Sequence, residues 1–244
     1  MKMGSLNSGQ TRGFTLTEVL VVIGILGILA ALLLPALSSA KERGRSILCA
    51  SNLSQLGKAL AMYESDAGCY PGAGLAVRVV STGLKSTGTG WSDRLTPYVR
   101  GNVAVFKCPS HVPFGYGMIK TSAFGYNGFG SGWVETGARL GLGTGIMPNV
   151  VENRIGSQGV RVPADMIALG ELQLPPGVWM DILGPNRKTI GGLTGAVATR
   201  HRGRANMVFC DGHVERERQT RWIDETDAAR RRWNNDHQAH RETW

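Results

Sequence analysis

Residues 12–37 read "RGFTLTEVLVVIGILGILAALLLPAL". From Val19 to Leu37 no side chain is charged, and the run is interrupted only by Gly24, Gly27 and Pro35. At ~1.5 Å per residue this stretch makes a helix of about 28 Å, close to the ~30 Å hydrocarbon thickness of a bilayer. It exceeds the roughly 7–15 residues of a secretory signal's apolar core. Ser38-Ser39-Ala40 nevertheless offers small residues at which a signal peptidase can cut. Lys2 and Arg12 precede the run, and Lys41, Arg43 and Arg45 with Glu42 follow it, a count that slightly favours an N-in orientation. Glu18 is the anomaly. A carboxylate at the centre of a membrane helix costs about 2.5–3.5 kcal/mol, and less near its end, so a cationic partner is expected.

Beyond the span, Ile47, Ala50, Leu53, Leu56, Leu60 and Tyr63 recur in steps of three and four, opposite Lys41, Arg45, Asn52, Gln55 and Lys58. That period predicts one buried helical stripe. The expected helix runs from about residue 14 to about residue 65, bent near Pro35 and loosened near Gly44. After "DAGCYPGAG" the composition changes to glycine interleaved with aromatics. Short strands are expected at Ala76–Val80, Val103–Lys107, Met166–Leu169, Asn206–Cys210 and His213–Glu217. In the last pair Asp211-Gly212 separates two extended runs, which predicts a two-residue hairpin turn with both residues at positive φ. The fold class that follows is α+β, a long N-terminal helix packed against a small antiparallel sheet with long loops.

The net charge of +9 comes from 27 Lys+Arg against 18 Asp+Glu. Such a surplus suits anionic partners. No block of five like charges occurs, however, and Arg230-Arg231-Arg232 follows Asp224, Glu225 and Asp227, which describes a solvated basic surface. The glycine-aromatic stretch 114–133 has base-stacking residues but a single cation, Lys120, so it argues for a structured loop on the sheet and against a nucleic-acid groove. Outside the cytoplasm, Cys49, Cys69, Cys108 and Cys210 allow two disulfides in three connectivities.

Gly13-Phe14-Thr15-Leu16-Thr17-Glu18 followed by the apolar run resembles the cleavage and methylation signature of type IV pilins and type II secretion pseudopilins, with Pro35 at the family's kink. The resemblance implies cutting by prepilin peptidase after Gly13 and N-methylation of Phe14. It also implies a pairing of Glu18 with the new amine of a neighbouring subunit. The implied partners are other pilin or pseudopilin subunits, the peptidase, an inner-membrane assembly platform and membrane lipid. The implied location is the inner membrane, single-pass, with the C-terminal domain in the periplasm or outside and extractable into a fibre.

A second resemblance rests on His201, nine intervening residues, then Asp211-Gly212. It is joined by "CASNLSQLGKALAMYESDAGCYP", "FKCPS", "FGYN" and "RRRWNNDHQAHRETW". These are similar to the H-X9-DG element of a pilin-like family of planctomycete and verrucomicrobium type. The expected organisation is a leader at 1–13, a transmembrane and assembly helix at 14–38 and its amphipathic continuation at 39–66. An extracytoplasmic β domain at 67–220 and a tail at 221–244 complete it.

Several constellations bear on chemistry. Cys108-x2-His111 and Cys210-x2-His213 have the donor types of a Cys2His2 zinc site. His201 with Asp211 and Glu171 offers an acid-base cluster, but no nucleophile motif or phosphate loop accompanies it. Hydrogen bonding that ties down the hairpin is the plainer role for His201 and Asp211. No cofactor is expected. Calcium is the one ion the pilin resemblance raises, although no run of oxygen ligands is recognisable. In the tail, Trp222, Trp233 and Trp244 are eleven residues apart, with Trp233 and Trp244 expected as packing anchors. Asp236, His237, His240 and Glu242 there suit polar contacts or a cation. The reading that results is a structural fibre subunit and not an enzyme. A basic DNA-uptake or adhesive minor pilin and a membrane-anchored enzyme using His201 and Asp211 are the alternatives.

Overall fold

The computed structural model describes residues 15–73, 77–80, 83–86, 90–111, 123–131, 140–144, 153–173, 183–185 and 196–243. Gly13, Phe14, Ala76 and Trp244 lie outside them, as do residues 114–122 and 132–133 of the expected long loop. Helix α1 spans Leu16–Ala67 with Pro35 inside it. The chain forms two units, Met1–Glu42 and Arg43–Trp244.

In the first unit the side chains of α1 are exposed, among them Leu16, Ile28 and Leu32, the last at 72%. It is long and apolar enough to cross a membrane. Leaving a leucine in water forgoes about 1.5–3 kcal/mol relative to burying it, so this surface calls for an apolar environment.

In the second unit α1 turns one stripe inward: Cys49, Leu53, Leu56, Gly57, Leu60 and Tyr63. Ile47, expected in the stripe, is 70% exposed, because the buried face is centred on Ser46, Cys49 and Leu53. The stripe packs on a five-stranded antiparallel sheet made of β3 (Phe124–Tyr126), β6 (Ile167–Gln173), β7 (Ala196–Val197), β8 (Arg204–Phe209) and β9 (Val214–Arg218). The order is β3-β6-β8-β9, with β7 pairing the end of β6. Two small antiparallel pairs, β1 (Val77–Val80) with β2 (Gly83–Ser86) and β4 (Gly143–Thr144) with β5 (Asn153–Arg154), lie outside this sheet.

Alternation along β8 explains the layering. Val208 joins Leu169, Phe124, Tyr126 and the α1 stripe in one core, whereas Ala205, Met207 and Phe209 join Trp222 and Trp233 in a second. The sheet is therefore covered by α1 on one face and by the tail on the other. Both tryptophans are anchored by their indole N–H: Trp222 donates to the Ala205 carbonyl at 3.2 Å and Trp233 to the Trp222 carbonyl at 2.9 Å.

Two local expectations change. Val103–Phe106 is a 3-10 turn and not a strand, because the Asn102 side chain accepts from the Ala104 N–H and caps it. The β8–β9 turn has three residues, Cys210-Asp211-Gly212, inside a pair in which the Phe209 N–H donates to the His213 carbonyl. Only Gly212 takes positive φ, at 89°. Asp211 instead accepts from the His213 N–H at 3.1 Å, so its carboxylate holds the turn without a left-handed backbone.

Candidate functional sites: the apolar helix and a buried disulfide-histidine cluster

At the head of α1, Glu18 has partners within its own chain. Its Oε2 accepts from the Thr15 N–H at 2.9 Å and from the Thr15 hydroxyl at 2.6 Å, while the Glu18 N–H donates to Thr15 Oγ1 at 3.3 Å. This reciprocal pattern is a capping box. The signal was present as Thr15-x-x-Glu18, which sequence reasoning passed over in favour of an intersubunit partner. The carboxylate thus satisfies the Thr15 N–H, the Thr15 hydroxyl satisfies that of Glu18, and the negative charge sits at the favourable end of the helix dipole.

The second site is assembled by four separate segments. Cys49 of α1 is disulfide-bonded to Cys108, with 5.2 Å between their Cα atoms. His201 Nε2 lies 3.4 Å from Cys108 Sγ and 3.1 Å from Glu171 Oε1. Glu171 projects from β6, and its Oε1 also accepts from Asn206 Nδ2 of β8 at 2.6 Å. The side chains of His201 and Glu171 have no solvent exposure. His201 and Arg202 adopt left-handed backbone (φ 54° and 63°) ahead of Gly203 at 77°, a turn that holds the imidazole inward. Such conformations cost about 1 kcal/mol each outside glycine, so the surrounding contacts must enforce them. Among the described residues Glu171 Oε2 is buried with no hydrogen-bond partner.

The expected pairings fare unevenly. His201 and Asp211 are not brought together: Asp211 lies at the hairpin tip and pairs with His213 Nδ1 at 2.6 Å. His201 meets Glu171 instead, as the wider cluster anticipates. One disulfide forms, and Cys69 and Cys210 remain free thiols. The Cys2His2 zinc arrangement is not formed. Cys108 is in the disulfide, and burial raises the Cys210 thiol pKa well above its usual range. His213 stacks on Phe209 with ring centroids 4.3 Å apart. The fourth residue, His111, takes Arg200 Nη1 at its Nδ1 at 2.7 Å, and burial followed by the Arg200 charge lowers its pKa.

Among the described residues the potential metal ligands that converge are Cys49, Cys108, Glu171 and His201. Two sulfurs and an imidazole do not suit calcium, which selects oxygen. Sequence reasoning did not connect these four, which come from distant positions.

The tail residues make polar contacts within the subunit. His240 bridges Asp236 at 2.7 Å and Glu242 at 2.9 Å, and His237 Nε2 lies 3.6 Å from Asp165. The basic surface is interspersed with carboxylates: a depression of about 660 Å³ sets Arg204, Arg218, Arg221, Arg231 and Arg232 beside Asp165, Glu217 and Asp224.

Comparison with known proteins agrees with the two N-terminal readings. Residues 9–34 match the prokaryotic N-terminal methylation motif. Residues 38–115 match a family described as a protein of unknown function (DUF1559). The type IV wide pilus major component PilA4 of Thermus thermophilus is 41% identical over 78 residues, 32% of this chain and 58% of that protein. The type II secretion system core protein G of Pectobacterium carotovorum is 41% identical over 73 residues, 30% of this chain and 47% of that protein. Its Escherichia coli counterpart is 45% identical over 62 residues, 25% of this chain and 43% of that protein. The chain thus spans about half the length of these relatives, and no solved structure matches it. It carries a prepilin-type methylation motif and is similar, over a quarter to a third of its length, to type IV pilins and type II secretion pseudopilins.

Proposed function

We propose that the chain is a structural subunit, processed by prepilin peptidase and assembled through α1 into a type II secretion pseudopilus or a type IV pilus-like fibre. The observation that carries this reading is the first unit itself. An apolar helix without buried side chains begins at Leu16, two residues after Phe14 in sequence, and carries Glu18 in its first turn. In the membrane, lipid covers that surface; in a fibre, the same surface of neighbouring subunits does. Peptidase cleavage frees a cation at Phe14, and Glu18 of an adjacent subunit then exchanges its capping contacts with Thr15 for that amine. The domain is extracytoplasmic in this arrangement, in keeping with a disulfide.

A catalytic role has little support. His201 and Glu171 are sealed from solvent, and Asp211 points away from them into its own turn. Mass spectrometry of the chain recovered from its membrane tests the proposal. A mature N-terminus at methylated Phe14 is expected. An intact Met1, or a start after Ala40, refutes it.

A further inference from the structure

We propose that the thiol form of this chain binds one Zn2+ through Cys49, Cys108, His201 and Glu171, and that formation of the Cys49–Cys108 disulfide ejects it. The ligand atoms of these four buried residues all lie within 4.8 Å of one another. Tetrahedral zinc with bonds of about 2.0–2.3 Å places its ligand atoms roughly 3.3–3.8 Å apart. His201 Nε2 is already 3.4 Å from Cys108 Sγ and 3.1 Å from Glu171 Oε1. The two sulfurs, now bonded, need to separate, and no other pair stands more than about 1 Å beyond the tetrahedral spacing. Thiolate and imidazole are the donors zinc prefers, and a carboxylate completes a recognised ligand set.

Two further features favour a cation at this point. Glu171 Oε2 is fully buried with no hydrogen-bond partner among the described residues, an orphaned charge-bearing atom that a metal accounts for. Asn206 Nδ2, at 2.6 Å from Glu171 Oε1, fixes the carboxylate as an outer-shell partner does. Two thiolates and a carboxylate leave one excess negative charge on the complex. Arg200 lies close enough to offset it, with its Nη2 held by the carbonyls of Ala123 and Leu172, the latter next to Glu171.

The chemistry balances in both directions. In the chain as translated both cysteines are thiols, and Zn2+ binding displaces their two protons to water. A disulfide oxidant then takes the electron pair by thiol-disulfide exchange: the Cys49–Cys108 bond forms, the oxidant's two sulfurs leave as thiolates that take up two protons from water, and zinc leaves. A dithiol reductant reverses the step. The metal therefore holds α1, the 108 segment, β6 and the turn before β8 in register until the covalent bond replaces it.

The test uses the full-length chain in detergent. One sample is reduced anaerobically with a phosphine and the other is oxidised; both are titrated with Co2+ and then with Zn2+. One Co2+ per reduced chain is expected, with thiolate-to-cobalt charge-transfer absorption and tetrahedral d–d bands that zinc abolishes. The oxidised chain should take up none at this site. His201→Ala and the near-isosteric Glu171→Gln should each weaken binding by more than about 10-fold, the loss typical of even an outer-shell partner. His213→Ala should leave it unchanged. No cobalt uptake by the reduced wild type overturns the proposal. So does uptake without sulfur charge transfer, equal uptake by the oxidised chain, or unchanged affinity in both variants.

Discussion

Removing the Cys49–Cys108 cross-link should be the most damaging small change in the second unit. The bond closes a loop with a sequence separation of 59 residues. The chain-entropy relation for a loop of that size gives about 4 kcal/mol, taken from the restriction of the unfolded chain. The two sulfurs are also buried, at 0% and 4% exposure, so Cys49→Ala/Cys108→Ala adds a small packing loss. Against a typical domain stability of about 5–15 kcal/mol this is a large fraction. Urea unfolding of the full chain in detergent, with a chelator present, measures it through the fluorescence of the buried Trp91, Trp222 and Trp233. At a slope near 2 kcal/mol per molar urea, the midpoint should fall by about 2 M. Cys69→Ala, which removes no cross-link, should shift it by much less. A midpoint for the double variant within roughly 0.5 M of wild type would mean that the loop is already constrained by packing, and the entropic reasoning would be wrong.

Three further outcomes follow from particular contacts. Glu18→Ala should still insert and be processed yet assemble poorly, scored by sheared-fibre yield; normal yield would dismiss the pairing with a neighbour's Phe14. Asn127→Ala should lower unfolding stability by about 3 kcal/mol or more, because it strands the carbonyls of Ile167 and Trp233 and the N–H of Gly130 in the interior. A loss under about 1 kcal/mol in the same urea assay would show that the site relaxes. Partial burial disfavours the His240 cation, but its hydrogen bonds to Asp236 and then Glu242 outweigh that and raise the pKa. The stability it gives the tail is therefore full below the unfolded value of about 6.5 and is lost as pH rises through the folded value. An NMR titration of the His240 ring should place its midpoint above that of a free histidine, and Asp236→Asn should bring it down; a midpoint at or below the free value would contradict the sign.

The long helix and the final hairpin were legible because each has a local signature: an uncharged span, a three-four period, an Asp-Gly dipeptide. The reading of the turn erred by one residue, since Asp211-Gly212 also fits a three-residue loop in which glycine alone is left-handed. Strand β3 was invisible because Phe124-Gly125-Tyr126 is buried on both faces and shows no alternation. Sequence period marked the helical stripe but not its phase, so Ile47 was placed inward. The capping box was written plainly as Thr15-x-x-Glu18 and was hidden by the same glutamate's oddity in a membrane span. The disulfide-histidine cluster joins positions 49, 108, 171 and 201, and only tertiary folding brings such distant residues together.

The H-X9-DG spacing itself has a physical explanation in this fold. Both of its ends meet partners on α1 or cross-linked to it. His201 touches Cys108, which is bonded to Cys49, and Gly212 approaches Gly57 so closely that a Cβ there would stand 3.3 Å from the Gly212 backbone and 2.6 Å from Val208 Cγ2. Cys49 and Gly57 are eight residues apart, about 12 Å of helix. Between His201 and Asp211 lie the left-handed Arg202-Gly203 turn, the six residues of β8 and Cys210. The number nine is thus the length of one strand plus the residues that turn into and out of it. One residue more or fewer would exchange Asn206 and Val208 with Ala205, Met207 and Phe209 across the sheet. That slip would remove Asn206 from Glu171 and place an amide against Trp222. The spacing is therefore set by two fixed points on a helix and the two-residue period of the strand that crosses it, without any need for the histidine and the aspartate to meet.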